Sequence, residues 1–154
     1  MRVFFGFEAG VAHNSQVSKA LSDEGKKGQF FGQMSVNTLL WKKLGLAVVP
    51  SYLFNSYIYC TDSQYSFTLG SAIQFYVSPY LSLLAEWNPT VSGWRRYHNT
   101  VAVAFEIETG GHFFKIILTN NAMLNTAHHL AGADLNFASG DWRLGFMITR
   151  LIKI

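Results

Sequence analysis

Eight runs of 8 to 13 residues in this chain alternate between apolar and small-or-polar positions, and the gaps between them alternate between long and short. The run Tyr65–Val77 is the clearest. Tyr65, Phe67, Leu69, Ile73, Phe75 and Val77 fall on one face, interrupted by Ser71, against Ser66, Thr68, Gly70, Ala72, Gln74 and Tyr76 on the other. A period of two is that of a β-strand, whose successive side chains point to opposite faces. One face is large and aromatic; the other is small or polar. In a soluble barrel the large set fills the inside, whereas in a membrane barrel it meets lipid.

Composition favours the second arrangement. Only 14% of residues are charged, against roughly 25% in an ordinary globular domain, too few to wet the outside of a soluble sheet. No apolar run reaches the ~18 residues of a transmembrane helix, so a membrane reading must be a β one. A single domain over 1–154 is expected, since nothing resembling a linker divides it. No basic face interleaved with aromatics suggests nucleic acid. Cys60 stands alone and forms no intrachain disulfide.

Along the chain the expected strands are Val3–Val11, Gln29–Trp41, Leu44–Ser56, Tyr65–Val77, Tyr80–Asn88, Thr100–Thr109, His112–Asn120 and Trp142–Thr149. Pro50 lies inside the third and cannot donate a ladder hydrogen bond, which predicts a bulge or an unpaired stretch. Gly110-Gly111 is a two-residue hairpin turn. Ser18–Gly25 reads as a helical turn too short and polar for a core helix. The expected fold is all-β: an antiparallel up-and-down meander of about eight strands forming a transmembrane barrel. An even count puts both termini on the short-turn side, facing the periplasm, with the long gaps outside the cell. Trp41, Tyr52, Phe54, Tyr57, Tyr65, Tyr80, Trp87 and Trp142 are candidates for interfacial girdles.

Glu106-Ile107-Glu108-Thr109-Gly110-Gly111-His112-Phe113-Phe114, followed by Leu118-Thr119-Asn120, and then Gly140-Asp141-Trp142-Arg143-Leu144-Gly145-Phe146 ending in Arg150, resemble the signature hairpin and final strand of an uncharacterised outer-membrane β-barrel family of Bacteroidota. The resemblance singles out Gly110, Gly111, His112, Thr119 and Asn120. It implies a family without assigned chemistry, whose longer members begin with an export signal and further strands. The chain would then be the C-terminal portion of a longer barrel, or a shortened relative.

The small-residue faces collect Glu8, Glu86, Glu106, Glu108, Lys115 and Arg143. Glu106 or Glu108, Lys115 and Arg143 are expected to meet across a narrow lumen, either as a salt-bridged filling or as a polar path. His128-His129 with Asp134 lack metal-ligand spacing, so no metal or other cofactor is expected. His98 with Ser92 is the one pairing that suggests a lipid hydrolase, without a surrounding motif. The expected function is a non-catalytic outer-membrane barrel with a structural, narrow-pore or surface-binding role through its long loops. Its expected partners are the lipid bilayer, lipopolysaccharide and other outer-membrane components. The alternatives are a soluble lipocalin-like carrier of a small hydrophobic ligand and a membrane-barrel lipid hydrolase.

Overall fold

Alternating sequence becomes alternating burial. The computed structural model describes residues 2–13, 28–57, 62–122 and 125–150; the turn expected over Ser18–Gly25 and Cys60 lie outside them. In the strand Tyr65–Ser78 the large set is exposed (Phe67 37%, Ile73 44%, Val77 49%), while Ser66 and Thr68 are wholly buried. Leu46, Val48, Leu83, Trp87, Phe105, Ile107, Ile116 and Leu118 on neighbouring strands are exposed in the same way. The sheet is therefore inside-out, and a lipocalin-like arrangement, which needs the large face inward, is not the one the chain adopts.

The strands are β1 (Val3–His13), β2 (Gly28–Leu40), β3 (Leu44–Phe54), β4 (Tyr65–Ser78), β5 (Leu81–Asn88), β6 (Thr90–Gly93), β7 (Thr100–Thr109), β8 (His112–Thr119) and β9 (Arg143–Arg150). All pair antiparallel, in the order β1-β2-β3-β4-β5-β7-β8-β9, with β6 paired to β4. The eight strands of that path curve into half a barrel. Among the described residues β1 and β9 do not pair with each other, and the sheet they show is half a barrel rather than a closed one.

β6 corrects the reading of residues 89–99 as plain loop. Pro89 interrupts a strand that otherwise runs on from β5: its carbonyl accepts from Leu69 N at 3.1 Å, Thr90 keeps the register opposite Thr68, and the pairing with β4 slips by one residue only at Val91, between Thr90 and Ser92. Pro50 acts as anticipated. β3 pairs with β2 at Ser51↔Gln33 and again at Val48↔Val36, and the positions between are unpaired on that side.

The short connections use backbone conformations suited to a twisted hairpin. Gly110 and Gly111 both take positive φ (56° and 86°) between the paired Thr109 and His112, the geometry of a type I′ turn. At the β2–β3 turn, Trp41 and Lys42 adopt the same conformation without glycine (φ 49° and 58°), and Lys43 N closes on Leu40 O at 3.0 Å. Trp41 is left 81% exposed.

Strand stagger can be followed through the registers. A row perpendicular to the strands starts at Val3, at the short-turn end of β1. It passes Thr38, Leu46, Ile73, Ala85, Val103 and Leu118 and ends at Leu144, at the long-loop end of β9. With ~3.3 Å per residue along a strand and ~4.8 Å between strands, this climb corresponds to a tilt of roughly 30°, close to that of closed barrels. A strand the length of β3, so tilted, spans roughly 30 Å, which matches a bilayer's hydrocarbon core.

Aromatics mark both ends of the outer face. Phe30, Phe54 and Tyr65 share one row near the long loops, Tyr52 stacks on Tyr65 at 5.8 Å, and Trp41 and Tyr80 lie at the short turns. Two girdle candidates sit elsewhere. Trp87, next to the end of β5, lies opposite Ser71 midway along β4, and Trp142 turns onto Phe137, ring centroids 3.7 Å apart.

Candidate functional site

The concave face is the site, and its two ends differ. At the long-loop end the segment between β8 and β9 folds back over the sheet. It contains a five-residue helix, α1 (Thr126–Leu130), and a 3-10 turn at Phe137–Ser139. Asn125 caps α1 by accepting from His128 N at 2.9 Å, and Asn136 caps the turn by accepting from Ala138 N at 3.0 Å. Ala127, Leu130 and Ala131 are buried against the inward-facing Leu53, with Ala12, Phe31 and Trp94 around them. α1 is thus a plug, and its helical i, i+3, i+4 spacing supplies the apolar stripe that docks it.

Neutral polar groups tether the plug. Thr100 Oγ1 and Asn88 Nδ2 donate to the His129 carbonyl at 2.8 and 3.4 Å, and Asn121 Nδ2 donates to the His128 carbonyl at 2.9 Å. Asn120, fully buried, accepts from Val101 N at 2.9 Å and donates to Asn99 O at 2.9 Å and Leu135 O at 3.1 Å. Thr119 Oγ1 donates to Val101 O at 2.8 Å. The β5–β7 loop joins through a two-way bridge between His98 and Ala133 (3.0 and 2.8 Å). Gly132 allows it, since its φ is +90° and a Cβ there would lie 2.8 Å from the His98 carbonyl. The motif residues Gly110, Gly111, His112, Thr119 and Asn120 therefore divide in two. The glycines make the turn and His112 stacks on Phe114 at 6.4 Å beside it, while at the other end of the strand Thr119 ties β8 to the β7 backbone and Asn120 reaches the plug segment at Leu135.

The charged residues do not gather as expected. Glu106 and Lys115 face each other across β7 and β8 and pair at 3.0 Å; Gln74 and Ser82 donate to the same carboxylate at 3.0 and 3.1 Å. Arg143 is not part of this group. It lies opposite Thr119, four residues along β8 from Lys115, and forms a bidentate pair with Asp134 at 2.7 Å for both bonds. The hydrogen bonds from Arg143 hold the Asp134 carboxyl below its ordinary range. Asp134 is therefore engaged by arginine, and His128 and His129 belong to the plug helix.

Glu108 lies one inward position nearer the turn than Glu106, opposite Phe113. Glu8 accepts from Gln33 Nε2 at 2.6 Å on the β1 side. Glu86, flanked in register by Ala72 and Ala102, lines two adjoining clefts of about 500 and 450 Å³, one under α1 and one toward the short turns. Burial pushes the His129 imidazole down, with nearby Glu86 opposing it, and burial with Arg96 lowers His128. Ser92 hydrogen-bonds Tyr65 Oη at 3.2 Å, while His98 is placed by its backbone bridge; the two are not paired with each other.

Sequence reasoning missed the plug and Asp134's role. The spacing of Ala127, Leu130 and Ala131 was the available signal, set inside a long polar gap. A family model described as Membrane bound beta barrel domain (DUF5777) matches residues 3–152. No curated protein and no solved structure matches the chain.

Proposed function

The chain belongs to this family of membrane-bound β-barrel domains, and on that premise we propose that it is a non-catalytic wall-and-plug element of an outer membrane. Its large outward side chains would meet lipid, and its concave face would line a polar lumen that α1 narrows at the long-loop end. The observation that carries this reading is the inversion of the sheet: Phe67, Leu69, Ile73 and Phe75 exposed, Ser66 and Thr68 buried. A charge on the outer face at bilayer depth costs ~2–4 kcal/mol, whereas the lumen side tolerates one.

Of the roles open to such a barrel, the geometry favours structure and a restricted lumen over display through the β8–β9 loop, because that loop packs inward. The lumen would be polar and net acidic near Glu8 and Glu86, with Glu106 neutralised by Lys115. The test is to fold the chain into phosphatidylcholine vesicles and follow protease protection and a heat-modifiable gel shift. Protected strands and a shift support the reading; a detergent-free soluble monomer overturns it.

A further inference from the structure

Between β6 and β7 the chain runs Trp94-Arg95-Arg96-Tyr97-His98-Asn99, and its backbone is pinned at every second residue. Trp94 N donates to Tyr65 O at 2.7 Å, Arg96 N to Ala131 O at 2.9 Å and His98 N to Ala133 O at 3.0 Å. Trp94 also stacks on Tyr57, ring centroids 5.0 Å apart. Arg95 and Arg96 are thus presented from a fixed frame, and neither has a carboxylate. Arg95 is exposed and donates from Nη1 to the neutral Asn99 Oδ1 at 3.0 Å. Arg96 is half-buried, and its side chain makes no hydrogen bond or ion pair among the described residues. Asp134 is already engaged at both oxygens by Arg143, while Asp62 and Asp141 form no ion pair among the described residues. Burial and then Arg96 lower the His128 imidazole, and Arg96 adds to the Arg143 hydrogen bonds in lowering Asp134, so its guanidinium lies near both. This rim therefore holds a surplus of positive charge.

The outer face beside it changes in the order of a membrane interface. Leu69 and Phe67 are exposed and apolar; at the next outward position of β4, Tyr65 Oη meets Ser92 Oγ at 3.2 Å. Trp94, bonded to the Tyr65 carbonyl, leads directly into the arginines, and Tyr97 beyond them is 76% exposed. Aromatic rings with a polar tip belong where hydrocarbon gives way to headgroups, so the arginines stand at headgroup level. A guanidinium is a rigid fork that takes phosphate oxygens in pairs, whereas an ammonium acts as a point charge. We propose, resting on the membrane reading above, that Arg95 and Arg96 form a site for the phosphate of a lipid headgroup in the leaflet on the long-loop side. The fixed backbone preorganises the two forks, and the exposed apolar face below them receives the acyl chains.

The test folds the full chain in dodecylmaltoside, scores folding by the heat-modifiable gel shift, and follows binding of phosphatidic acid by native mass spectrometry. The headgroup of that lipid is phosphate alone. Arg95→Gln/Arg96→Gln should bind it roughly tenfold more weakly, as expected for losing charge-assisted hydrogen bonds. Arg95→Lys/Arg96→Lys, which keeps the charge and loses the fork, should fall between. Lys42 and Lys43 are exposed at the opposite rim, and Lys42→Gln/Lys43→Gln should leave binding unchanged. Inorganic phosphate at the same concentration should not compete, because it lacks acyl chains. Unchanged binding in the glutamine pair, or an equal loss in the Lys42/Lys43 control, overturns the proposal. If the glutamine pair does not fold, wild-type binding by the lysine pair overturns it instead. Displacement by inorganic phosphate overturns the lipid as occupant. A wild-type chain without the gel shift removes the membrane premise and the proposal with it.

Discussion

The two ends of the concave face are built from the same strands yet held by different chemistry. At the long-loop end Leu53, Ser66, Thr100, Asn120 and Ala133 are all sealed from solvent, and the bonds of this sealed part are neutral amides and hydroxyls aimed at backbone, with the Arg143–Asp134 pair at its part-exposed rim. At the short-turn end no loop folds in among the described residues. The wall there is held by one ion pair, Glu106–Lys115, braced by Gln74 and Ser82. Neutral groups can be buried if each bond is met, whereas charges need either a partner or water. The sealed part of the plug therefore demands amides, and charges are kept for its part-exposed rim, where Arg143 pairs with Asp134, and for the open end.

The most damaging single change should fall at the plug. Asn120→Ala leaves the Val101 N–H and two carbonyls unmet in a buried site, and at ~1–3 kcal/mol for each lost buried partner we expect about 4 kcal/mol lost in urea unfolding from vesicles. A loss under 1 kcal/mol would mean that the amide network is ornamental. Leu130→Ala should follow, at about 3 kcal/mol from lost packing and an unfilled cavity, and should raise the labelling rate of a cysteine placed at Ala102. At the other end Lys115→Ala strands a carboxylate that still has two donors and partial water, so about 1–2 kcal/mol is expected. A loss larger than that of Asn120→Ala would reverse the ranking of the ends.

Acid should separate the ends with a smaller effect. His128 and His129 are held below the usual imidazole range by burial, so the unfolded chain binds more protons than the folded one as pH drops past ~6.5. Stability they support is present above that value and lost below it. Asp134 is held below the usual carboxylate range by Arg143, and its contribution is present above ~4 and lost as pH falls further. The plug end should therefore loosen in two acid steps, the upper removed by replacing both His128 and His129 with Asn and the lower by Asp134→Asn. Labelling at Ala102 followed from pH 8 to 3, both roughly bracketing those ranges, checks this; identical profiles in the variants would contradict it.

Most of the strand frame was legible because it rests on local chemistry. The bounds of β7, the outward set of β4, the Gly110-Gly111 turn and the interruption at Pro50 each follow from a period of two, a positive φ or a missing N–H. What was illegible depends on distant chain. β6 was hidden because Pro89 reads as a terminator, whereas here its carbonyl still accepts from Leu69 N and the strand runs on to Gly93. α1 was hidden because five residues in a polar gap become helical only once Leu53 and Phe31 are there to receive them. Arg143 was assigned to Lys115 and the glutamates because it shares their face; the β8–β9 register separates them, and Asp134 lies beside it instead. Family membership extends the frame to residues 3–152 and adds no chemistry.

The central claim is that the large face of the sheet meets lipid and the small face lines the lumen. Nitroxide labels placed singly from Phe67 to Val77 in vesicles, scored for collision with oxygen and with a water-soluble nickel chelate, test it directly. The account predicts oxygen maxima at 67, 69, 73, 75 and 77 and chelate maxima, where not buried, at 72, 74 and 76. Maxima in the opposite phase, or no period of two, would contradict it.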